Sequence, residues 1–321
     1  TLLIAMGLAF VSCGEREAPI STPEGNKYYQ EGPHVFVDEI DGNAVYFSPT
    51  PEGWMLEQRY LPKLDGSVLT VENPAFEPFD IKINRQTAAV PSEYPEASKI
   101  TVLADIEGNF MAFYSMLVSR EVIDESGNWI YGDGHLVMLG DLFDRGPDVT
   151  PTLWLLYKLE QEAQKVGGHV HTLLGNHEIM IFQGDTRYVN GKYIKQHYDT
   201  GFRYPELYAQ NTVLGDWLRS KPAIIKIGDK LFAHAGISLK VLELNLDLDQ
   251  INNLVRAHNA SGEEASWDAV TATILGTNGI FWYRGWVENP PPAGVLDAVL
   301  GTYDANHMIV GHTIVPETVS Y

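Results

Sequence analysis

The stretch "KITVLADIEGNF", residues 99–110, decides how the chain is read. Ile100 to Ala104 are strand-formers, and they deliver Asp105 to a turn holding Glu107 and Gly108. "FMAFYSMLVSREVI" follows from residue 110 with apolar side chains at helical spacing. The same texture then recurs. "HLVMLGDLFDRG", 135–146, is a second strand and loop. "DVTPTLWLLYKLEQEAQKV", 148–166, is amphipathic, with Leu153, Leu156, Leu159, Ala163 and Val166 near one face. "HVHTLLGNHEIM", 169–180, is a third strand and loop. A βαβαβ order predicts parallel strands, with polar residues gathered at their carboxyl ends, where α/β proteins place ligands. Further on, "AIIKIGDKLFAHAGIS" reads as a hairpin about "GD", and "HMIVGHTIVPETVSY" opens another strand-and-loop unit.

Upstream, residues 33 to about 86 alternate in short runs such as "HVFVDEI", "AVYFSP" and "SVLTVEN", separated by turn residues. They predict a β appendage packed on the main domain, joined by the Pro-bearing linker "VPSEYPEAS". Residues 180–220 are polar, aromatic and helix-leaning, and predict a cap in which "YDTGFRYPELY" packs on the core. Net charge is −20 over 321 residues. A field of that sign repels nucleic acid and anionic membrane, and an anionic substrate needs a locally positive site.

Five polar clusters sit at the ends of apolar runs. They are Asp105 with Glu107; Asp141, Asp144 and Arg145; Asn176, His177 and Glu178; His234; and His312. Each alone reads as a turn former or helix cap. Five in succession read differently, because packed strands bring them to one edge. Carboxylates, imidazoles and an amide together make a mixed oxygen and nitrogen metal site, with enough negative charge for two divalent cations.

"GDLFDRG", "LGNHE", "HAG" and "VGHT" resemble the calcineurin-like metallophosphoesterases of the phosphoprotein-phosphatase superfamily. "IMIFQGDTRYV" and "FWYRG" resemble, within it, the Shewanella-like phosphatases. The resemblance covers residues 99–316 and leaves the β appendage outside. It implies an α/β (α+β) fold in which two packed β-sheets are flanked by helices. It also implies roles. Asp105 and residue 107 would bind one metal, Asp141 would bridge, and Asn176, His234 and His312 would complete the second. Asp144 would hold His177 protonated as general acid. Arg145 would grip the phosphate, with Arg284 a second grip and Arg187 a weaker candidate. The implied cofactors are two divalent ions, manganese foremost, with magnesium, iron or zinc as alternatives. The implied reaction is hydrolysis of a phosphate monoester on a small ester, nucleotide, glycan or phosphopeptide. A phosphodiesterase, a dinucleoside-polyphosphate hydrolase and a non-catalytic phosphate-binding surface protein are the alternatives.

The departure is Glu107, where the motif has histidine. Three carboxylates against two divalent cations leave roughly one positive charge, where histidine would leave roughly two. An all-oxygen shell favours manganese or magnesium over softer ions. His169 and His171 alternate on one face at the start of their strand and are read as structural, and His197, His258 and His307 as surface or packing residues.

The chain's single cysteine, Cys13, ends the apolar segment "LLIAMGLAFVSC". That segment is too short to span a bilayer. It resembles a bacterial lipobox, apart from Phe10 where leucine is usual, and a cleaved export signal is the alternative. The chain is thus expected to divide into a signal segment at 1–13, a tether at 14–32, the β appendage and linker at 33–98, and the phosphoesterase domain at 99–321. Lipid at Cys13 would be its only membrane contact, in the cell envelope. Thr1 in place of Met, and only nine residues after His312, predict a longer natural product.

Overall fold

The computed structural model describes residues 2–4, 30–73, 76–85, 90–261 and 267–315; Cys13 and the segment read as a lipobox lie outside them. Strands β8 (Ile100–Leu103), β9 (His135–Met138) and β10 (His169–Thr172) form a parallel sheet in the order β10-β9-β8. This is the βαβαβ unit read from the apolar runs. Its crossover helices are α1 (Phe110–Ser119) and α2 (Val149–Gln164). Asn109 caps α1, its Oδ1 accepting the Ala112 N–H at 3.2 Å.

A second sheet faces it, in the order β1-β13-β12-β11-β7. Here β11 (Ile224–Ile227) and β12 (Lys230–Ala233) are the antiparallel hairpin, and β13 (His307–Val310) lies parallel to β12. The short β7 (Glu93–Tyr94) flanks β11, and β1 (Leu2–Ile4) flanks β13. Three residues read from sequence as part of an export signal thus extend this sheet. Ala104, Val137, Leu139, Leu173, Ile225, Ile227, Phe232 and Ile309 fill the space between the two sheets. Strands buried on both faces read as continuous apolar runs rather than alternating ones, which is why "ITVLA" and "LVML" were legible. Helices α6 (Leu239–Leu242), α7 (Leu248–Ser261), α8 (Ala269–Leu275), α9 (Gly285–Glu288) and α10 (Ala293–Thr302) connect the hairpin to β13.

The N-terminal strands β2 (Glu31–Asp38), β3 (Asp41–Thr50) and β4 (Gly53–Leu61) form an antiparallel meander, and β5 (Val68–Asn73) pairs with β6 (Phe76–Lys82). Their core is not their own. Phe47, Leu64, Val71 and Ile81 belong to the same buried cluster as Phe110, Trp154 and Leu156. Polar bonds seal the seam. Trp154 Nε1 donates to the Pro33 carbonyl at 2.8 Å, and Tyr157 Oη donates to the Asn84 carbonyl at 2.8 Å.

Residues 176–219 fold as α3 (Asn176–Phe182), α4 (Gly191–Thr200), a 3₁₀ turn (Tyr204–Tyr208) and α5 (Val213–Arg219). Tyr193, Tyr204 and Tyr208 are buried against one another there, with Phe143 against Tyr208 at 4.8 Å between ring centroids. Within the aromatic run Tyr204 and Tyr208 therefore pack, while Tyr198 stays exposed. This region also touches the N-terminal meander, through the Trp54 N–H on Asp199 Oδ2 at 2.9 Å.

Candidate metal centre

All five polar clusters come to the carboxyl ends of β8, β9, β10, β12 and β13. Their loops are strained. Among the described residues ten non-glycine positions have positive φ, and six are site residues: Asp105, Glu107, Asp141, Asp144, Arg145 and His312. Such conformations cost roughly 1–3 kcal/mol each and persist only where surroundings over-determine them. Here they do. The N–H groups of Asp105, Glu107 and Gly108 donate to Gly140, Asp141 and Leu142 carbonyls at 3.1, 2.9 and 3.0 Å, lacing the first loop to the second.

The deepest brace is Glu178, fully buried at the third position of α3. Its carboxylate accepts N–H bonds from Asp141 (2.9 Å), Leu142 (2.7 Å), Phe143 (3.3 Å) and Gly175 (2.6 Å). Sequence reading placed Glu178 in a cluster but gave it no role. The available signal was its place three residues after Gly175, where a helix-capping carboxylate belongs. Gly175 has its own constraint, since a Cβ there would lie 2.3 Å from Asp141 Oδ1.

Three potential ligand atoms crowd around His234 Nε2. It lies 3.1 Å from Asp141 Oδ2, 2.9 Å from Asn176 Oδ1 and 3.1 Å from His312 Nδ1. His234 Nδ1 donates to the Leu139 carbonyl at 2.7 Å, which leaves Nε2 of the neutral ring an acceptor. A carboxylate oxygen, an amide oxygen and imidazole nitrogens so close repel one another unless a cation or a proton sits between them. The electrostatics say the same. Burial disfavours a charge on His234, but Asp141 outweighs it and raises the ring to about 9. Burial and then His234 push His312 down to about 3, and its Nε2 has no hydrogen-bond partner among the described residues. The donor set fits a divalent metal, with Asp141, Asn176, His234 and His312 as its holders.

The other half is all oxygen. Burial, then the charge of Asp141, raises Asp105 to about 6, the behaviour of two carboxylates waiting for a shared cation. Asp105 Oδ2 also accepts the His312 N–H at 3.1 Å, tying the first loop to the last. Glu107 turns its carboxylate inward. Glu107, Asp141 and His177 each offer a ligand atom within 4.8 Å of the others. Glu107 Oε1 also forms an ion pair with Arg145. Asp105, Glu107 and Asp141 offer the oxygen donors that a second cation would use.

His177 Nδ1 bonds Asp144 Oδ2 at 2.5 Å, and its Nε2 faces Asp141 and Glu107 at 3.9 Å each. Burial works against its protonation, yet the bond to Asp144 and the charge of Asp141 win, so the ring is raised above its ordinary range.

Of the three arginines, two lie at the site. Arg145 pairs with Glu107 and lies 5.7 Å over the Tyr188 ring. Arg284 Nη1 donates to the His312 carbonyl at 3.0 Å. Arg187 is not brought in, because its exposed guanidinium closes on Asp185 at 2.5 Å. Tyr188, its neighbour, was missed. That ring lies 5.5 Å from His177 and remains half-exposed at the rim. His169 and His171 stand at the opposite end of their strand. They pack with His135 and Tyr94, with His171 Nε2 3.0 Å from His135 Nδ1.

Comparison with known proteins agrees with this geometry. Residues 98–316 match the model of the calcineurin-like phosphoesterases. Shewanella-like protein phosphatase 1 of Plasmodium berghei (strain Anka) is 29% identical over 225 residues, covering 68% of this chain and 62% of that protein. Shewanella-like protein phosphatase 2 of Arabidopsis thaliana is 24% identical over 275 residues, covering 71% and 69%. The chain thus spans less than two thirds of the first relative's length. The crystal structure of a cold-active protein-tyrosine phosphatase from a psychrophilic Shewanella species superposes with a TM-score of 0.80 at 34% identity, covering 89% of this chain and 85% of that one. With the match extending from β8 through the loop of His312, this chain belongs to the calcineurin-like phosphoesterase family, beside the Shewanella-like phosphatases.

Proposed function

We propose that the chain is a metal-dependent phosphatase that hydrolyses phosphate monoesters, with tyrosyl phosphate, for which its Shewanella neighbour is named, among its substrates. The observation that carries this reading is His177 poised beside the ligand cluster with Asp144 behind it. Two divalent cations held by Asp105, Glu107, Asp141, Asn176, His234 and His312 would activate water for in-line attack and offset charge on the phosphoryl group. The side chains do the rest. Arg145 and Arg284 hold phosphoryl oxygens, and the planar guanidinium suits paired bonds to an oxyanion. His177 gives the proton at Nε2 to the leaving oxygen, while Asp144 fixes Nδ1–H and the ring's orientation. The reading needs no nucleophilic side chain, and so no phosphoenzyme. Glu107 biases the first metal toward manganese or magnesium.

The test compares p-nitrophenyl phosphate with bis(p-nitrophenyl) phosphate in the presence of Mn²⁺. Hydrolysis of the monoester is expected. Preference for the bis-ester would make the protein a phosphodiesterase, and inertness toward both with every divalent metal would make it a binding protein.

The location is also a proposal. A lipid on Cys13 would anchor the protein in a bacterial envelope. Palmitate labelling of the natural full-length chain, lost on Cys13→Ser, is the expected result.

A further inference from the structure

The loop 144–148, "DRGPD", carries Asp144 and Arg145; residues 188–193 grip its backbone, and the N-terminal strands support that grip through side chains. The Arg145 N–H donates to the Tyr188 carbonyl at 3.0 Å, and the Arg145 carbonyl accepts from Asn190 Nδ2 at 2.7 Å. The Pro147 carbonyl accepts from Lys192 Nζ at 2.7 Å and from Tyr193 Oη at 2.8 Å. The N-terminal strands complete the grip. Asn73 Nδ2 donates to Asp148 Oδ1 at 3.1 Å, and Glu31 forms an ion pair with Lys192. Glu31 is only 2% exposed and Lys192 only 7%.

A buried ion pair is a poor way to add stability, since well-packed apolar residues of the same volume often do as well or better. What it does give is direction. The Glu31 carboxylate orients the ammonium, and the ammonium fixes the Pro147 carbonyl, two residues beyond Arg145. Asn190 fixes the carbonyl of Arg145 itself. Arg145 needs such help, because its side chain is 55% exposed and its backbone has φ of +53°. A misplacement of about 1 Å at such a group can cost two orders of magnitude in rate.

We propose that Glu31, Lys192 and Asn190 are positioning residues for Arg145, so that the N-terminal β region, which lies outside the family's motifs, is part of the phosphate-binding apparatus. This rests on the reading that Arg145 holds the phosphoryl group. Asn190→Asp keeps the Oδ1 that caps α4 through the Lys192 N–H and replaces the donor to Arg145 with a repelling oxygen. The double variant Glu31→Gln with Lys192→Met removes both buried charges together. Each is compared with wild type by calorimetric titration of orthophosphate onto the Mn²⁺-loaded protein and by steady-state kinetics on p-nitrophenyl phosphate.

Orthophosphate affinity is expected to fall, and KM to rise, roughly tenfold in both variants, with kcat changed less than KM and metal content unaltered. Should the double variant fail to fold, the single variant Glu31→Gln, which keeps the hydrogen-bonding oxygen but not the charge, takes its place beside Asn190→Asp. Folded, metal-loaded variants with wild-type phosphate affinity would overturn the proposal. A wild type that hydrolyses nothing, yet binds orthophosphate more tightly than Asn190→Asp, would sink the phosphatase reading and leave the positioning role standing.

Discussion

Glu107 is where this chain departs from its family's pattern, and the structure gives its carboxylate two partners. One is the cluster it makes with Asp141 and His177, and the other is Arg145. A ligand role makes a definite demand. Glu107→Ala should lower bound Mn²⁺ from two equivalents toward one, by elemental analysis of dialysed protein, with a fall in kcat of at least about 10²-fold if the first ion is needed for attack. Two retained metals and an unchanged rate would show Glu107 to be only a brace for Arg145. Asp144 makes a different demand. Removing a general acid costs about 10²–10⁴-fold, and Asp144→Asn should forfeit much of that by loosening the His177 proton. The loss should be smaller for an aryl phosphate with a good leaving group than for an alkyl phosphate, which needs the proton more. Equal losses on both would mean Asp144 acts on the fold rather than on the proton.

At the level of elements, the strand-loop junctions carry the cost of the site. Glu178 holds the second loop to the third by taking four N–H groups at once. Glu178→Ala would bury several donors unpaired, at about 1–3 kcal/mol each before relaxation. The urea midpoint should therefore fall sharply, with metal affinity falling alongside it. Glu178→Gln, which keeps one acceptor oxygen, should recover part of the midpoint. A midpoint untouched by Glu178→Ala would mean that water replaces the carboxylate.

Over the whole molecule, buried titratable groups set an acid limit. Burial and then His169 hold His135 down at about 4, and burial holds His171 well below its ordinary range. Both are neutral in the fold but charge near 6.5 in the unfolded chain. Their contribution is therefore complete above about 6.5; that of His135 is lost as pH falls toward about 4, and that of His171 declines from the same point. Glu31 adds a second, lower step. Burial opposes its ionisation, but Lys192 and His34 prevail and hold it at about 2 against 4.5. Its share is present above 4.5 and is lost as pH falls toward 2. Thermal midpoints measured from pH 8 down to 3 should decline in these two windows. His171→Leu should flatten the first decline and leave the second. A midpoint unmoved between pH 6.5 and 4.5 would remove the histidine cluster from this account.

Much of the site was legible in the order of residues. Asp105, Asp141, Asn176, His234 and His312 each follow an apolar run. A buried parallel strand is such a run, and its carboxyl end is where the backbone frees side chains to meet. Ligand chemistry is written in residue type, so the candidate metal site was readable before the fold was. Arg187 shows the limit, because the motif placed it near the phosphate while its neighbour Asp185 turned it outward. Tyr188, Asn190 and the Glu31–Lys192 pair carried no local signal. Their meaning depends on contacts between separate segments, 45 residues apart for Asn190 and Arg145 and 161 for Glu31 and Lys192, and no period or spacing encodes which distant surfaces will close on one another. Sequence by itself determined the chemistry available at the strand ends. Only the tertiary structure decided which groups brace it, because burial and direction arise when the N-terminal strands, the 176–219 helices and the loop of Arg145 pack into one core.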